Sequence, residues 1–123
     1  MKASFLRRAL QRHYKAEGFK TYFPKAGIRC GNCLIDGEVQ TGAWRLAVEL
    51  KSDRDDLLRG LGQLLEALAH GYDMALLVTS QSRAERLDPK VFQASGIGLA
   101  TVKSKGEVAF IAEPKIVNLT GES

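Results

Sequence analysis

An acidic and a basic residue stand two positions apart at the end of one apolar segment, Arg45-Leu46-Ala47-Val48-Glu49-Leu50-Lys51. In a β-strand, Glu49 and Lys51 would project from the same face, about 7 Å apart along the chain. Burial of either charge costs several kcal/mol unless the group finds a partner or a metal ion. A catalytic carboxylate and ammonium group would explain the pair. The alternative is an ordinary pair of charges at an exposed strand end.

The surrounding sequence predicts a small α/β fold that would hold this pair. Apolar residues at helical spacing predict helices over residues 4–17, ended by Gly18, and from a cap at Ser52 or Asp53 to about His70-Gly71. Extended runs and turn residues predict the strands, of which the second and third form a hairpin. A last short helix is predicted over residues 88–94. The predicted strands are residues 19–24, 28–36, 43–51, 74–79, 98–103 and 107–112.

These elements give the order α-β-β-β-α-β with a short α-β-β extension, in one domain of residues 1–123. The strand 74–79 is almost entirely apolar, which is typical of a central strand covered on both faces. We therefore expect a mixed central sheet flanked by helices.

The order of these elements resembles that of the PD-(D/E)XK nuclease superfamily, which includes archaeal Holliday-junction resolvases and RecB-type nuclease domains. Shared features are a basic-sided helix, a strand, a hairpin whose second arm ends in Glu-Leu-Lys, a helix with a glutamine and an apolar strand. The resemblance covers roughly residues 4–80, and includes Gly18-Phe19 and Gly62-Gln63-Leu64-Leu65. It implies a restriction-endonuclease-like domain.

In that family, the motif glutamate and an aspartate on the preceding strand hold a divalent cation, usually magnesium. The resemblance therefore implies that Glu49 is a metal ligand and that Lys51 positions the attacking water or stabilises charge on phosphorus. It also implies that Gln63 supports the lysine or the water, and that the cofactor is Mg²⁺ or Mn²⁺. Carboxylate oxygens suit such a hard cation, which can activate water and neutralise phosphate charge.

The aspartate of that family has no full match in this chain. Asp36 has the right chemistry and precedes Glu49 by twelve intervening residues, whereas Asn32 stands where the surrounding pattern fits better. Asn32 and Asp36 would project from the same face of the predicted strand, because they are an even number of residues apart. The register of the hairpin therefore decides which of them lies opposite Glu49. A turn centred near Gln40-Thr41 would place Asn32 opposite Glu49, and one two residues later would favour Leu34 or Asp36. We predict Asp36 as the second ligand, with Asn32 as the alternative.

Positive charge is concentrated at the start of the chain. Residues 1–29 contain eight Lys or Arg and one acid, a charge of +7, whereas the remaining residues carry −3. Clustered cations suit a polyanion such as DNA, although they also suit a solvated helix face. Four basic residues of the first helix are the predicted nucleic-acid contacts: Arg7, Arg8, Arg12 and Lys15.

Composition indicates a globular protein, with 45% hydrophobic and 26% charged residues. Near the start of the chain, charged residues follow after only two large apolar side chains. We therefore expect no signal peptide and no membrane partner. The expected location is the cytoplasm. Cys30 and Cys33 form a lone C-x-x-C pair. Because a structural zinc site usually needs four ligands, we interpret them as two reduced thiols in a strand.

The sequence thus predicts a metal-dependent deoxyribonuclease, with branched or repair intermediates among its possible substrates. Small nucleases of this class often act as homodimers, because two nicks need two sites. If Asn32 held the aspartate position, too few carboxylates would remain to bind metal well. The chain would then be an inactive relative that binds nucleic acid, or a subunit of a larger assembly.

Overall fold

A mixed six-stranded β-sheet organises the protein, whose computed structural model describes residues 1–117. The elements are α1 Ala3–Ala16, β1 Lys20–Tyr22, β2 Ile28–Cys30, β3 Cys33–Ile35, β4 Gly37–Thr41, β5 Trp44–Lys51, α2 Leu57–Ala69, β6 Met74–Ser80, α3 Gln81–Ala84, α4 Pro89–Ser95, β7 Gly98–Val102 and β8 Val108–Ala112. The strand order of the sheet is β1-β4-β5-β6-β7-β8, in which β5, β6 and β7 run parallel and the other neighbours are antiparallel. This arrangement confirms the predicted α/β class with a mixed central sheet flanked by helices.

Helix α1 covers one face of the sheet and ends where its sequence predicts. It buries Leu6, Ala9, Leu10 and Tyr14, which recur at helical spacing. Gly18 follows with φ +83°, a conformation that glycine adopts without the steric cost of a Cβ atom. Phe19, just before β1, and Phe110 on β8 both pack against Tyr14, with ring centroids 6.2 and 6.5 Å away. The helix therefore contacts both edge strands of the sheet.

Helix α2 packs on the opposite face and begins later than its predicted caps. The side chain of Asp56 accepts hydrogen bonds from the N–H groups of Leu58 and Arg59, so Asp56 is the N-cap. Neither Ser52 nor Asp53 has this role. Residues 52–55 form a turn instead, in which Asp55 accepts hydrogen bonds from the backbone N–H and the hydroxyl of Ser52.

The predicted strand 28–36 is wrong, because the chain reverses within it. Gly31 has φ +60° and forms a tight turn with Asn32, so that β2 and β3 pair with each other. The arm that pairs with β5 is β4, and its turn contains Gly42 at φ +66°. Asp36 therefore lies at the junction between β3 and β4, and not at a hairpin turn.

The remaining elements follow the predictions closely. The strands β6, β7 and β8 and helix α4 agree with the predicted segments to within one or two residues, while the short helix α3 was not predicted. Helix α4 has Asp88 as its N-cap and a left-handed Gly96 at its end. These elements complete the sheet beside the carboxyl end of β5, where the candidate site lies.

Candidate functional site

Strand β5 presents different chemistry on its two faces. Leu46, Val48 and Leu50 belong to the apolar core beneath α1, whereas Ala47 belongs to the core beneath α2. Because strand side chains alternate, Glu49 and Lys51 share the α2 side with Ala47. They are only 2% and 9% exposed. Two opposite charges are therefore buried together at the carboxyl end of a central strand.

Asp36 lies against Glu49. The backbone N–H of Asp36 donates to the carbonyl of Val48, over 3.2 Å, and to Oε1 of Glu49, over 3.0 Å. In return, Oδ2 of Asp36 accepts the backbone N–H of Leu50 over 2.7 Å. These hydrogen bonds continue the β4–β5 pairing by one residue pair beyond Gly37 and Val48, so that Asp36 lies opposite Glu49. Asp36 and Glu49 therefore lie next to each other at the end of the hairpin.

Asn32, the alternative for the same position, lies elsewhere. It forms the turn between β2 and β3, is exposed, and donates its backbone N–H to Oε1 of Glu66 on α2 over 3.1 Å. The structure brings Asp36 to Glu49 and leaves Asn32 at the far side of the β2–β3 hairpin. The register corresponds to the later of the two turns that the sequence allows.

Lys51 is held by groups from two elements. Its Nζ atom lies 3.2 Å from Oε2 of Glu49 and donates to Oε1 of Gln63, also over 3.2 Å. The Nε2 group of Gln63 donates to the carbonyl of Leu34 over 2.7 Å. A Cβ atom at Gly60 would lie 2.7 Å from Cε of Lys51, so this glycine provides the space for the lysine. Close packing therefore explains a glycine inside a helix.

Burial acts on both carboxyl groups, and the charge of Asp36 acts on Glu49. Burial, followed by the charge of Asp36, raises the pKa of Glu49 to about 7, although Lys51 opposes the shift. Burial also raises the pKa of Asp36. A cation between the two groups would remove this repulsion, since it favours the charged form of each. The electrostatics therefore suit a bound cation.

The donor set fits Mg²⁺. Among residues 1–117, no cluster contains three or more His, Cys, Asp or Glu side chains in metal-binding geometry. Mg²⁺ usually keeps several waters and is bound through one or two carboxylates together with substrate phosphates. Asp36 and Glu49 supply two carboxylates, and a carboxylate oxygen that accepts one hydrogen bond retains a further lone pair. The pair suits a hard cation with open coordination positions.

A cavity of about 490 Å³ opens beside these groups, and several cations line it. They are Lys25, Arg54 and Arg59, in addition to Lys51. None of these three was among the predicted site residues. A signal was available for Arg54 and Arg59, because both follow the motif strand within eight residues of Lys51. Lys25 comes to the site only through the fold.

The four cations predicted to contact nucleic acid are spread along α1. Arg7 borders a smaller groove that also reaches Asp36. Arg12 lies beside Gly106 in the β7–β8 turn, and Arg8 and Lys15 are exposed. The helix therefore brings one of the four to the site and places Arg12 away from it.

The cysteines flank the β2–β3 turn as free thiols at paired positions. They lie at the ends of two short strands, and not within one strand as predicted. Cys30 is buried and Cys33 is partly exposed. Burial raises the pKa of the Cys30 thiol, which opposes formation of the reactive thiolate. Its environment is that of a packed side chain.

Comparison with known proteins finds similar folds only. No family model and no curated protein matches the chain. Among solved structures, the SPO1766 protein of unknown function from Silicibacter pomeroyi matches with a TM-score of 0.72 and 16% identity, over 97% of this chain and 75% of that one. An XisH family protein from Nostoc punctiforme matches with a TM-score of 0.61 and 12% identity, over 87% and 98%.

An fdxN element excision controlling factor protein from Anabaena variabilis gives a TM-score of 0.59 at 12% identity, over 88% of this chain and 98% of that one. The XisH family has a restriction-endonuclease-like fold. At these identities the likeness concerns the fold alone.

Across the described range, 1–117, the helices lack the length and apolar character that crossing a bilayer requires.

Proposed function

We propose that the protein is a metal-dependent nuclease of the PD-(D/E)XK superfamily that hydrolyses phosphodiester bonds in DNA. The observation that carries this proposal is the contact of Asp36 with Glu49, beside Lys51, at the edge of an open cavity. Four cations and four carboxylates line this cavity. The nuclease-like fold supports it. Homodimerisation stays a prediction.

Asp36 and Glu49 are the residues that would hold Mg²⁺ or Mn²⁺. When bound, the cation lowers the pKa of a coordinated water and neutralises charge on the phosphate. Lys51 is restrained by Glu49 and Gln63, which aim its ammonium group at the cavity. There it orients the attacking water or donates to a phosphate oxygen, where negative charge develops. Gln63 is a positioning residue, since it acts through Lys51.

The surrounding cations bind the substrate. Lys25, Arg54 and Arg59 are exposed on the cavity wall and attract the phosphates next to the bond that is cut. Such contacts release counterions from DNA, so binding should weaken steeply as the salt concentration rises. Binding and cutting can therefore be measured separately.

The experiment is cleavage of linear, branched and single-stranded DNA with Mg²⁺, Mn²⁺ or EDTA. We expect cutting only with metal, and a loss of at least 100-fold in Asp36→Ala, Glu49→Ala and Lys51→Ala. Glu107→Ala, an exposed carboxylate in the β7–β8 turn, is the matched control and should cut as wild type does. Circular dichroism establishes that each variant is folded. Absence of cutting by folded wild type on every substrate would overturn the proposal.

A further inference from the structure

A second groove adjoins the candidate site. It encloses about 600 Å³ between the β2–β3 hairpin and α2. It shares Leu34, Arg59 and Gln63 with the cavity that contains Asp36 and Glu49. The two spaces therefore share a wall, and Gln63 is part of it.

The charge of this groove differs from that of the site. Its charged lining residues are Arg29 on β2 and Arg59 on α2, both exposed, and none of its lining residues, all within residues 1–117, is acidic. The site itself contains acidic side chains that repel phosphate. The groove thus offers a cationic path that leads away from the carboxylates.

Gly62 adds an independent feature. It lies in the interior of α2, where glycine is unfavourable, and a Cβ atom there would have no neighbour within 4 Å. Packing within the protein therefore does not require this glycine, unlike Gly60. Gly62 is exposed and lines the groove. A glycine at such a place lets the backbone of another chain approach the helix closely.

We propose that this groove binds the sugar-phosphate backbone of DNA on one side of the bond that is cut. Arg29 and Arg59 contact phosphates, and Gly62 lets the strand lie close to α2. This inference rests on the proposed function, because the groove takes the same substrate. It assigns the binding to the β2–β3 hairpin and α2, and not to α1.

The architecture couples the groove to the site. The Gln63 side chain joins Lys51 to the carbonyl of Leu34 on the hairpin, and Glu66 holds the hairpin tip through the N–H of Asn32. A DNA strand bound in the groove would therefore contact the β2–β3 hairpin, which is hydrogen-bonded to Gln63, the residue that positions Lys51. These hydrogen bonds therefore connect the wall of the groove to Lys51.

The first test is fluorescence anisotropy of labelled single-stranded and duplex DNA in EDTA, which prevents metal-dependent cutting. We expect Arg29→Ala/Arg59→Ala to raise Kd at least tenfold. Log affinity falls as log salt concentration rises, and the double variant should make this fall less steep. The loss of two phosphate contacts should reduce the magnitude of the slope by about 1.4–1.8. Lys103→Ala/Lys105→Ala removes the same charge from the exposed β7–β8 turn and should change Kd less than twofold. Equal effects of the two double variants would overturn the proposal.

Gly62→Ala provides a second readout that a general loss of folding cannot imitate. We expect it to raise the midpoint of thermal unfolding, since alanine favours the helix, and to weaken DNA binding at least threefold. Unchanged binding would refute a close approach of the strand. A loss larger in Arg12→Ala/Lys15→Ala than in the groove variant would show that DNA lies on α1.

Cleavage assays on the same variants separate this proposal from the proposed function. If wild type cuts DNA and the groove variants bind and cut as well as wild type, the groove assignment fails and the nuclease stands. If wild type binds through Arg29 and Arg59 yet cuts nothing with metal, the nuclease fails and the groove assignment stands.

Discussion

The backbone N–H of Asp36 donates a hydrogen bond to Oε1 of Glu49 over 3.0 Å. This contact joins the residue that precedes β4 to a residue near the end of β5, and it brings Asp36 close enough for its charge to act on Glu49. Burial, together with the charge of Asp36, raises the pKa of Glu49 to about 7. The pair is therefore least stable when both groups are ionised without a cation.

Stability should depend on pH through Glu49. Between its ordinary pKa of 4.5 and about 7, native Glu49 keeps a proton that the unfolded chain has released. The free energy of unfolding should therefore fall as the pH rises through this window, by about 1–3 kcal/mol. Urea denaturation in EDTA measures this decrease. Glu49→Gln cannot titrate and should flatten the curve, and an unchanged curve in that variant would contradict the assignment.

Metal affinity should show the opposite dependence on pH. The cation binds ionised carboxylates, so its affinity should rise as the pH increases towards 7 and level off above that value. Isothermal titration calorimetry with Mn²⁺ at a series of pH values measures this rise. Asp36→Asn, which removes one carboxylate and keeps the side-chain shape, should weaken binding at least tenfold. Equal affinity in the variant would exclude Asp36 as a ligand.

Gly60→Ala and Gly62→Ala should differ although they are two residues apart on one helix. Alanine at position 60 would press on Cε of Lys51 and on Leu77, so we expect DNA cleavage to fall at least tenfold. Alanine at position 62 meets no atom and should raise the free energy of unfolding by about 0.8–1.0 kcal/mol. Cleavage assays and urea denaturation of both variants make the comparison. If both variants were stabilised equally and both cut DNA as wild type does, the close packing of Gly60 against Lys51 would be contradicted.

Gln63 should affect turnover through Lys51. Gln63→Leu removes the acceptor for Lys51 and the donor to Leu34, and should lower kcat about tenfold and stability by about 1–3 kcal/mol. Gln63→Glu keeps an acceptor for Lys51, so we expect it to restore part of kcat. If Gln63→Leu and Gln63→Glu raised KM and left kcat unchanged, Gln63 would bind the substrate and would not position Lys51.

Local sequence patterns determined most of the element types. Apolar residues at helical spacing are sufficient to predict α1 and α2, because their buried faces recur about every 3.6 residues. Alternation along a strand is sufficient to predict that Glu49 and Lys51 share a face. Each of these properties depends on residues that are close in sequence.

The tertiary structure decided which groups surround that pair. The turn at Gly31 divides an apolar run that reads as one strand, and this division sets the register that brings Asp36 to Glu49 and leaves Asn32 outside. The direction in which α1 crosses the sheet places Arg12 by the β7–β8 turn, while loop folding brings Lys25 to the cavity. Strand register and helix direction depend on packing between distant segments, and no periodicity within one segment records that packing.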